Sequence, residues 1–278
     1  MLSARNGDAE GPIRVSLSPR DIPPLQTTLM ELLGIATDPE VSFDRLEAVI
    51  ARDQALTLRV LAVANSSYYG CSRRVESART AVALLGTRQV QNIASAMALA
   101  PAFDSRHGPE LWGHGLATAL WTGHIMESLG TPSIDYLFTA ALLHDIGIVL
   151  MLRNAPREVA ACLEQVGLDR GEIVEIERAQ LGVDHAEVGA SACVAWKLPE
   201  RIIKLVAGHH QTPTGEIDGA VLSLAEALAS RHGNPEFVGA PEVGWPEEAM
   251  DALGIGPEDL EALADKEADV AGEASAFS

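Results

Sequence analysis

The segment AALLHDIGIVL, Ala140–Leu150, sets a histidine and an aspartate side by side inside an otherwise apolar run. Burying an imidazole and a carboxylate costs free energy unless some partner satisfies them. A metal ion, a hydrogen-bond network and solvent are the candidate partners. The flanks Ala140–Leu143 and Ile146–Leu150 read as core, so His144 and Asp145 are expected inside the protein rather than in water.

The sequence around this pair is punctuated like a series of helices. LWGHGLATALWTGHIMESLG, IDYLFTAALLHDIGIVLMLR, PREVAACLEQVG, HAEVGASACVAWKL, ERIIKLVAGHH and DGAVLSLAEALASRHG repeat apolar residues at helical spacing between turn signals. Upstream, Leu25–Ile35 has the same period and stops near Thr37-Asp38-Pro39. Ser42 is placed to cap SFDRLEAVIARDQ, and LTLRVLAVANSS forms a further helix. SARTAVALLGTRQVQNIASAMALA is a long helical stretch with a break at Gly86. No segment alternates strictly, so no strand is expected and the fold class is all-α.

Residues 1–24 are polar and rich in Gly, Pro and Arg, which reads as a loose arm. Residues 25–105 form an N-terminal helical half. A seam of Pro, Asp, Ser, His and Gly then opens a second helical half over 106–233. From 234 to 278 the composition turns acidic, with twelve acids against the single base Lys266. PEEAMDALG and PEDLEALADKEADV predict two short helices there, the second fraying into an acidic tail.

Composition narrows the function classes. A chain of 278 residues with 47% hydrophobic and 21% charged residues buries a real core, and 4% aromatics make that core aliphatic. The net charge of −19 argues against nucleic-acid binding, which needs Lys and Arg to neutralise phosphates. Arg73, Arg74, Arg79 and Arg88 read as solvated charges at helix ends and turns rather than as a basic patch. Cys71, Cys162 and Cys193 are odd in number and widely spaced, which suggests neither a disulfide framework nor a CxxC zinc site. The N-terminus lacks the apolar segment of a signal peptide, and no run of about 18 apolar residues stands out as a membrane span. A cytoplasmic location without membrane contact is the expectation.

Five of the eight histidines, His114, His144, His185, His209 and His210, lie in or at the end of an expected apolar helix. A helical bundle can assemble a metal site from such inward-pointing side chains, and imidazole with carboxylate suits zinc, iron or manganese. His185 shares a face with Gly189, Ala192 and Trp196, small enough in part for a neighbouring helix to approach closely. Asp184 is placed to cap that helix, with Glu187 in a capping-box position. The structural alternative is that His209-His210 merely ends a helix and complements its dipole. His107, His124 and His232 carry no site reading; His124 is rotated roughly a quarter-turn from His114 on the same helix. Spacing alone leaves a metal site and a hydrogen-bonded core both open.

The order His114, His144-Asp145, His185, His209-His210 resembles the HD superfamily of metal-dependent phosphohydrolases. More narrowly, the chain looks like an HDOD domain, the HD-related output domain of bacterial signalling proteins. The resemblance runs from about Leu25 to Gly233 and is carried by ARDQALTLRVLAVANSSYYG, TAVALLGTRQV, LWGHGLATA, AALLHDIG, GVDHAEVGASACVAWKLPE and GHHQTP. It implies a multi-helix HD-like bundle with an additional N-terminal helical subdomain. It also implies that His114, His144 and Asp145 hold a divalent metal (Fe, Mn, Zn, Mg or Ni). His185, His209 and His210 would be the added ligands in two-metal relatives. The family's final aspartate falls at Glu226, whose longer side chain displaces the carboxylate. Asp145 is the residue expected at the catalytic centre, where a metal lowers the pKa of water and polarises a phosphate.

Two further departures weigh against turnover. Relatives active on cyclic dinucleotides carry HDIGK, whereas this chain has Ile148 at the lysine position, and it reads HHQTPTGEIDG without their GYP signature. Lys204 and Arg201 read as a solvated helix face rather than a phosphate site. The expected function is therefore a signal-transduction module that binds a protein partner or a nucleotide or phosphoester ligand. A metal-dependent phosphohydrolase is the alternative.

Overall fold

In the computed structural model, which describes residues 22, 27–36, 38, 40–66, 68–69, 74–105, 107–131, 135–169, 173–211, 216–232, 234 and 244–277, the expected helices form in chain order, except that IDYLFTAALLHDIGIVLMLR breaks in two at His144-Asp145 and a further helix forms over Ile173–Leu181. The N-terminal half holds α1 (Thr27–Ala36), α2 (Phe43–Arg52), α3 (Gln54–Ala64) and α4 (Ala78–Leu99), closed by a 3-10 turn at Ala100–Phe103. The second half holds α5 (Gly108–Ser128), α6 (Asp135–Leu143), α7 (Ile146–Asn154), α8 (Pro156–Asp169), α9 (Ile173–Leu181), α10 (His185–Ala195), α11 (Glu200–Gly208) and α12 (Ile217–Arg231). The acidic C-terminal segment adds α13 (Glu247–Leu253), α14 (Pro257–Ala264) and α15 (Glu267–Ala276). Among the described residues there is no strand.

Local chemistry sets the boundaries. Ser42 accepts a hydrogen bond from the Arg45 N–H and starts α2, as its position predicts. Asp53 does the same for α3 through the Leu56 N–H at 2.8 Å. Gly86 adopts φ 79°, a conformation costly to any residue with a Cβ, and α4 kinks there. Asn65, which ends α3, clasps Val75 from both sides: it donates to the Val75 carbonyl and accepts from the Val75 N–H, each at 2.8 Å.

One continuous set of buried apolar residues runs from Ile22 to Phe277 and joins both halves. The long helix α5 lies at its centre, packed on α6 and α12, while α7 packs on α10 and α10 on α11. Two glycines permit the close approaches that matter for the site. A Cβ at Gly147 on α7 would lie 1.9 Å from the His185 carbonyl oxygen and 2.9 Å from the Gly189 nitrogen, both on α10. A Cβ at Gly115 would lie 2.9 Å from the Leu142 carbonyl oxygen, so α5 also approaches α6 closely, though less than α7 approaches α10.

The acidic tail differs from expectation. It forms three helices rather than two, and α15 docks on α5 instead of fraying. Sparse apolar side chains anchor it, with Leu263, Val270 and Phe277 all buried. Glu273 adds polar anchors, accepting from the Tyr68 hydroxyl at 2.7 Å and lying 3.1 Å from His124 Nε2. The expected arm over 1–24 lies outside the described residues apart from Ile22, which is buried. Cys162 and Cys193 are buried free thiols, and Cys71 lies outside the described residues. Arg79 pairs with Glu47 at 2.6 Å, consistent with a paired surface charge. Tyr136–Asn154 is long and apolar enough to cross a membrane by composition, contrary to the expectation from sequence. Yet 89% of its most apolar window is buried in the protein, and α6 ends and α7 begins within it, at His144-Asp145.

Candidate metal centre

The centre forms where four helix ends and one helix face meet. His114 projects from α5, and His144 and Asp145 occupy the break between α6 and α7. His185 is the first residue of α10, and His209 and His210 directly follow α11. His114, His144, Asp145, His185 and His209 are all buried, and His210 is partly so. Asp145 sits at the N-cap of α7, where an aspartate ordinarily accepts a hydrogen bond from the first turn, yet its side chain makes no capping bond. Its carboxylate is turned to the histidines instead. A broken local rule of this kind marks a functional demand.

Four of the rings are oriented by a bond to Nδ1. His114 Nδ1 donates to the Asn234 carbonyl at 2.7 Å, His144 Nδ1 to the Ala141 carbonyl at 2.6 Å and His209 Nδ1 to the Val206 carbonyl at 2.8 Å. His185 Nδ1 donates to Glu177 Oε2 at 2.7 Å, and the same oxygen takes the His185 backbone N–H at 2.9 Å. With Nδ1 protonated, the neutral ring carries its lone pair on Nε2, which is the ligating form. Glu177, which no sequence motif singles out, is fully buried. The expected capping role of Asp184 does hold, through the Glu187 N–H at 2.8 Å.

The Nε2 atoms converge on the two carboxylate oxygens of Asp145. Oδ2 lies 2.8 Å from His144 Nε2 and 3.5 Å from His114 Nε2, while Oδ1 lies 3.5 Å from both His185 Nε2 and His209 Nε2. Two groups that could hold a metal ion result among the described residues, His114-His144-Asp145 and Asp145-His185-His209-His210, with Asp145 common to both. His114 Nε2, His144 Nε2 and Asp145 Oδ2 are buried without an aligned hydrogen-bond partner. His185 Nε2 lies 3.1 Å from His209 Nε2, so in the neutral rings two lone pairs face one another. Such an arrangement is repulsive until a cation sits among the nitrogens. The donor set therefore fits a divalent metal, and its imidazole–carboxylate chemistry suits the transition ions.

Protons compete for the same atoms. Burial pulls the His144 pKa down, but the adjacent Asp145 carboxylate more than reverses this and raises it to about 9. Burial raises the Asp145 carboxyl, and the charge of His144 beside it outweighs burial, holding Asp145 well below the usual range. Burial lowers His210 to about 2, with His209 and His185 adding to the effect. For the metal-free chain, the raised His144 contributes stability that is complete below the unfolded value of about 6.5 and lost as pH rises through 9. Metal requires the deprotonated ring, so its affinity moves the opposite way and rises across that window. We therefore expect thermal melts between pH 7 and 9, above the range where the lowered His210 adds stability with rising pH, to show metal-free stability falling while the metal-induced gain grows. A metal-induced gain that shrinks with pH contradicts this assignment.

Glu226, expected at the family's final ligand position, belongs to neither ligand group. It lies in the wall of an adjoining cavity of about 470 Å³, together with His209, His210, Gln211, Ser223 and the Trp245–Ala249 segment. Its charge still acts on His114 and His144, favouring their protonated forms. Ile148 is fully buried. Lys204 pairs with Glu200 at 3.0 Å, and Arg201 donates to the Tyr136 hydroxyl at 3.0 Å, so neither lines the cavity. His124 and His232 pair with Glu273 and Glu267 away from the centre, and His107 borders a separate cleft.

Fold and site together define an all-α domain built around a buried histidine–aspartate centre. The HDOD domain model matches residues 22–212, and the chain belongs to that family. A curated protein of Treponema pallidum (strain Nichols), described as uncharacterized, is 27% identical over 197 residues, covering 69% of this chain and 38% of its own length. A solved structure of a candidate phosphohydrolase from Shewanella amazonensis SB2B is similar at TM-score 0.72 and 25% identity, over 93% of this chain and 94% of that one. A candidate signal transduction protein from Marinobacter aquaeolei VT8 shares the fold at TM-score 0.77 and 21% identity, over 95% of this chain and 62% of that one.

Proposed function

We propose that this chain is a signal-transduction HDOD module whose histidine–aspartate centre holds divalent metal for binding or sensing, with little phosphoester turnover. The carrying observation is the charge of the approach. Among the described residues, the cavity that borders His209 and His210 is lined by Glu226, Glu247 and Glu248 and by no lysine or arginine. Phosphoryl-transfer sites place cations where the phosphate charge sits. Here three carboxylates would repel it, and the position that bears lysine in HDIGK relatives is a buried isoleucine.

In this reading His114, His144, Asp145, His185, His209 and His210 hold the metal. A divalent ion bound there would supply Lewis-acid chemistry toward an oxygen ligand. Asp145 keeps the two ligand groups in register, and Glu177 fixes the tautomer and direction of His185. A signalling partner with a basic surface would suit the acidic C-terminal segment. The hydrolase alternative is favoured by the complete set of histidines and by the resemblance to the Shewanella protein, with Asp145 as its catalytic residue.

A panel of phosphomonoesters and phosphodiesters, assayed with the chain loaded with manganese or iron, separates the two. The expected result is bound metal without turnover above that of the His144→Ala variant. Sustained turnover that His144→Ala abolishes would establish the hydrolase and overturn the sensing reading.

A further inference from the structure

The cavity beside the centre has walls of two origins. His209, His210, Ser223 and Glu226 come from α11, its following turn and α12, whereas Trp245, Pro246, Glu247, Glu248 and Ala249 come from the start of the C-terminal segment. That segment lies beyond the residues matched by the family model. Ala249 is fully buried, which fixes the start of α13 against the domain, while Glu247 and Glu248 remain exposed to solvent on the rim. The Arg231 guanidinium is held 4.4 Å over the Trp245 ring, which steadies the entrance to α13.

The rim is acidic, and the interior beyond it shows what an acidic rim would serve. His209 is 7% exposed and borders both the cavity and the centre. Its ring packs at 5.1 Å against that of His144, whose Nε2 lies 2.8 Å from Asp145 Oδ2. Three carboxylates thus share the cavity wall with His209 and His210, two of the histidines that could hold a metal ion. Carboxylates of one sign around a low-dielectric cleft concentrate cations and raise their rate of entry by about 10- to 1,000-fold.

We propose that Glu226, Glu247 and Glu248 form a cation-selective vestibule that delivers the hydrated metal ion to the centre, with α13 as its outer wall. The C-terminal segment thereby becomes part of the metal site without ligating the ion. The proposal rests on the reading of the centre as a metal site, and a divalent transition cation is the class of ligand it admits. Glu247 and Glu248 are exposed, so neutralising them leaves the buried ligand cluster and the core in place.

Stopped-flow loading of the metal-free full chain with Co²⁺, followed by its visible absorption, tests the vestibule. The comparison is between the wild type, the double variant Glu247→Gln/Glu248→Gln and the control Asp251→Asn/Glu258→Gln. The control removes the same charge from exposed positions on α13 and α14 outside the cavity lining. The expected result is an association rate about tenfold lower for the vestibule variant at low ionic strength. Its dependence on salt should be flatter, and its bound-state spectrum unchanged. The control should load like the wild type. Equal association rates for the two double variants overturn the vestibule while leaving the metal site standing. A wild-type chain that takes up no Co²⁺ overturns both.

Discussion

Replacing Asp145 with alanine is expected to lower divalent-metal affinity by more than about 100-fold, the upper range for losing an outer partner of a ligand. Asp145 exceeds such a partner because both of its oxygens serve the centre: Oδ2 faces His114 and His144, and Oδ1 faces His185 and His209. Its loss removes the carboxylate that the two groups share among the described residues. In the wild type, metal present at 1,000 times its Kd adds about 4 kcal/mol of stability, which appears as a raised melting temperature. At the same metal concentration a chain weakened 100-fold keeps about 1.4 kcal/mol of that gain, so Asp145→Ala should lose most of the rise. Asp145→Asn should behave similarly despite its shape, because a neutral amide cannot balance the cation. An Asp145→Ala chain that retains a full metal-induced shift would remove Asp145 from the site.

The second large effect is expected at Gly147, through packing rather than ligation. Gly147→Ala puts a methyl group 1.9 Å from the His185 carbonyl oxygen and 2.7 Å from its carbon. Both are backbone atoms at the start of α10, so relief requires moving a helix rather than a side chain. Overpacking of this kind costs about 3 kcal/mol or more. The displaced helix carries His185, and α7 carries Asp145 at its N-terminus, so metal affinity should fall with stability. Gly113→Ala is the matched comparison, since its Cβ would meet nothing within 4 Å. In a helix interior that change is expected to stabilise by about 1 kcal/mol. Denaturant titration of the two variants measures the contrast. A Gly147→Ala chain as stable as wild type would show that α7 and α10 do not approach as described.

Much of the site was readable because its polar residues interrupt apolar periodicity. His144-Asp145 stands within a nearly unbroken run of buried residues, and His185 follows a residue with strong capping chemistry. Glu177 escaped notice because IVEIERAQL mixes charges along its length and resembles a solvated helix. The signal was its phase: Ile173, Val174, Glu177 and Leu181 form the buried stripe of α9, while Glu175 is exposed. A glutamate on that stripe needs a partner, and His185 is that partner. Glu226 was placed by family analogy, which fixes a position in the chain and leaves the reach of the longer side chain open. The docking of the acidic tail was hidden for a different reason. Its few apolar anchors, among them Ala249, Ile255, Leu263, Val270 and Phe277, are spread across three short helices and their ends, while carboxylates dominate its composition. A charge census reads such a segment as solvated, although buried Leu263, Val270 and Phe277 hold it in place.

The most direct test of the metal-centre reading is elemental analysis of the purified full chain and its His144→Ala variant after loading and exhaustive buffer exchange. A divalent transition metal should be retained in stoichiometric amount by the wild type and lost from His144→Ala, with the metal-dependent gain in melting temperature lost alongside it. A wild-type chain that retains no metal, together with a His144→Ala variant of unchanged stability, would contradict the assignment of the buried histidine–aspartate centre.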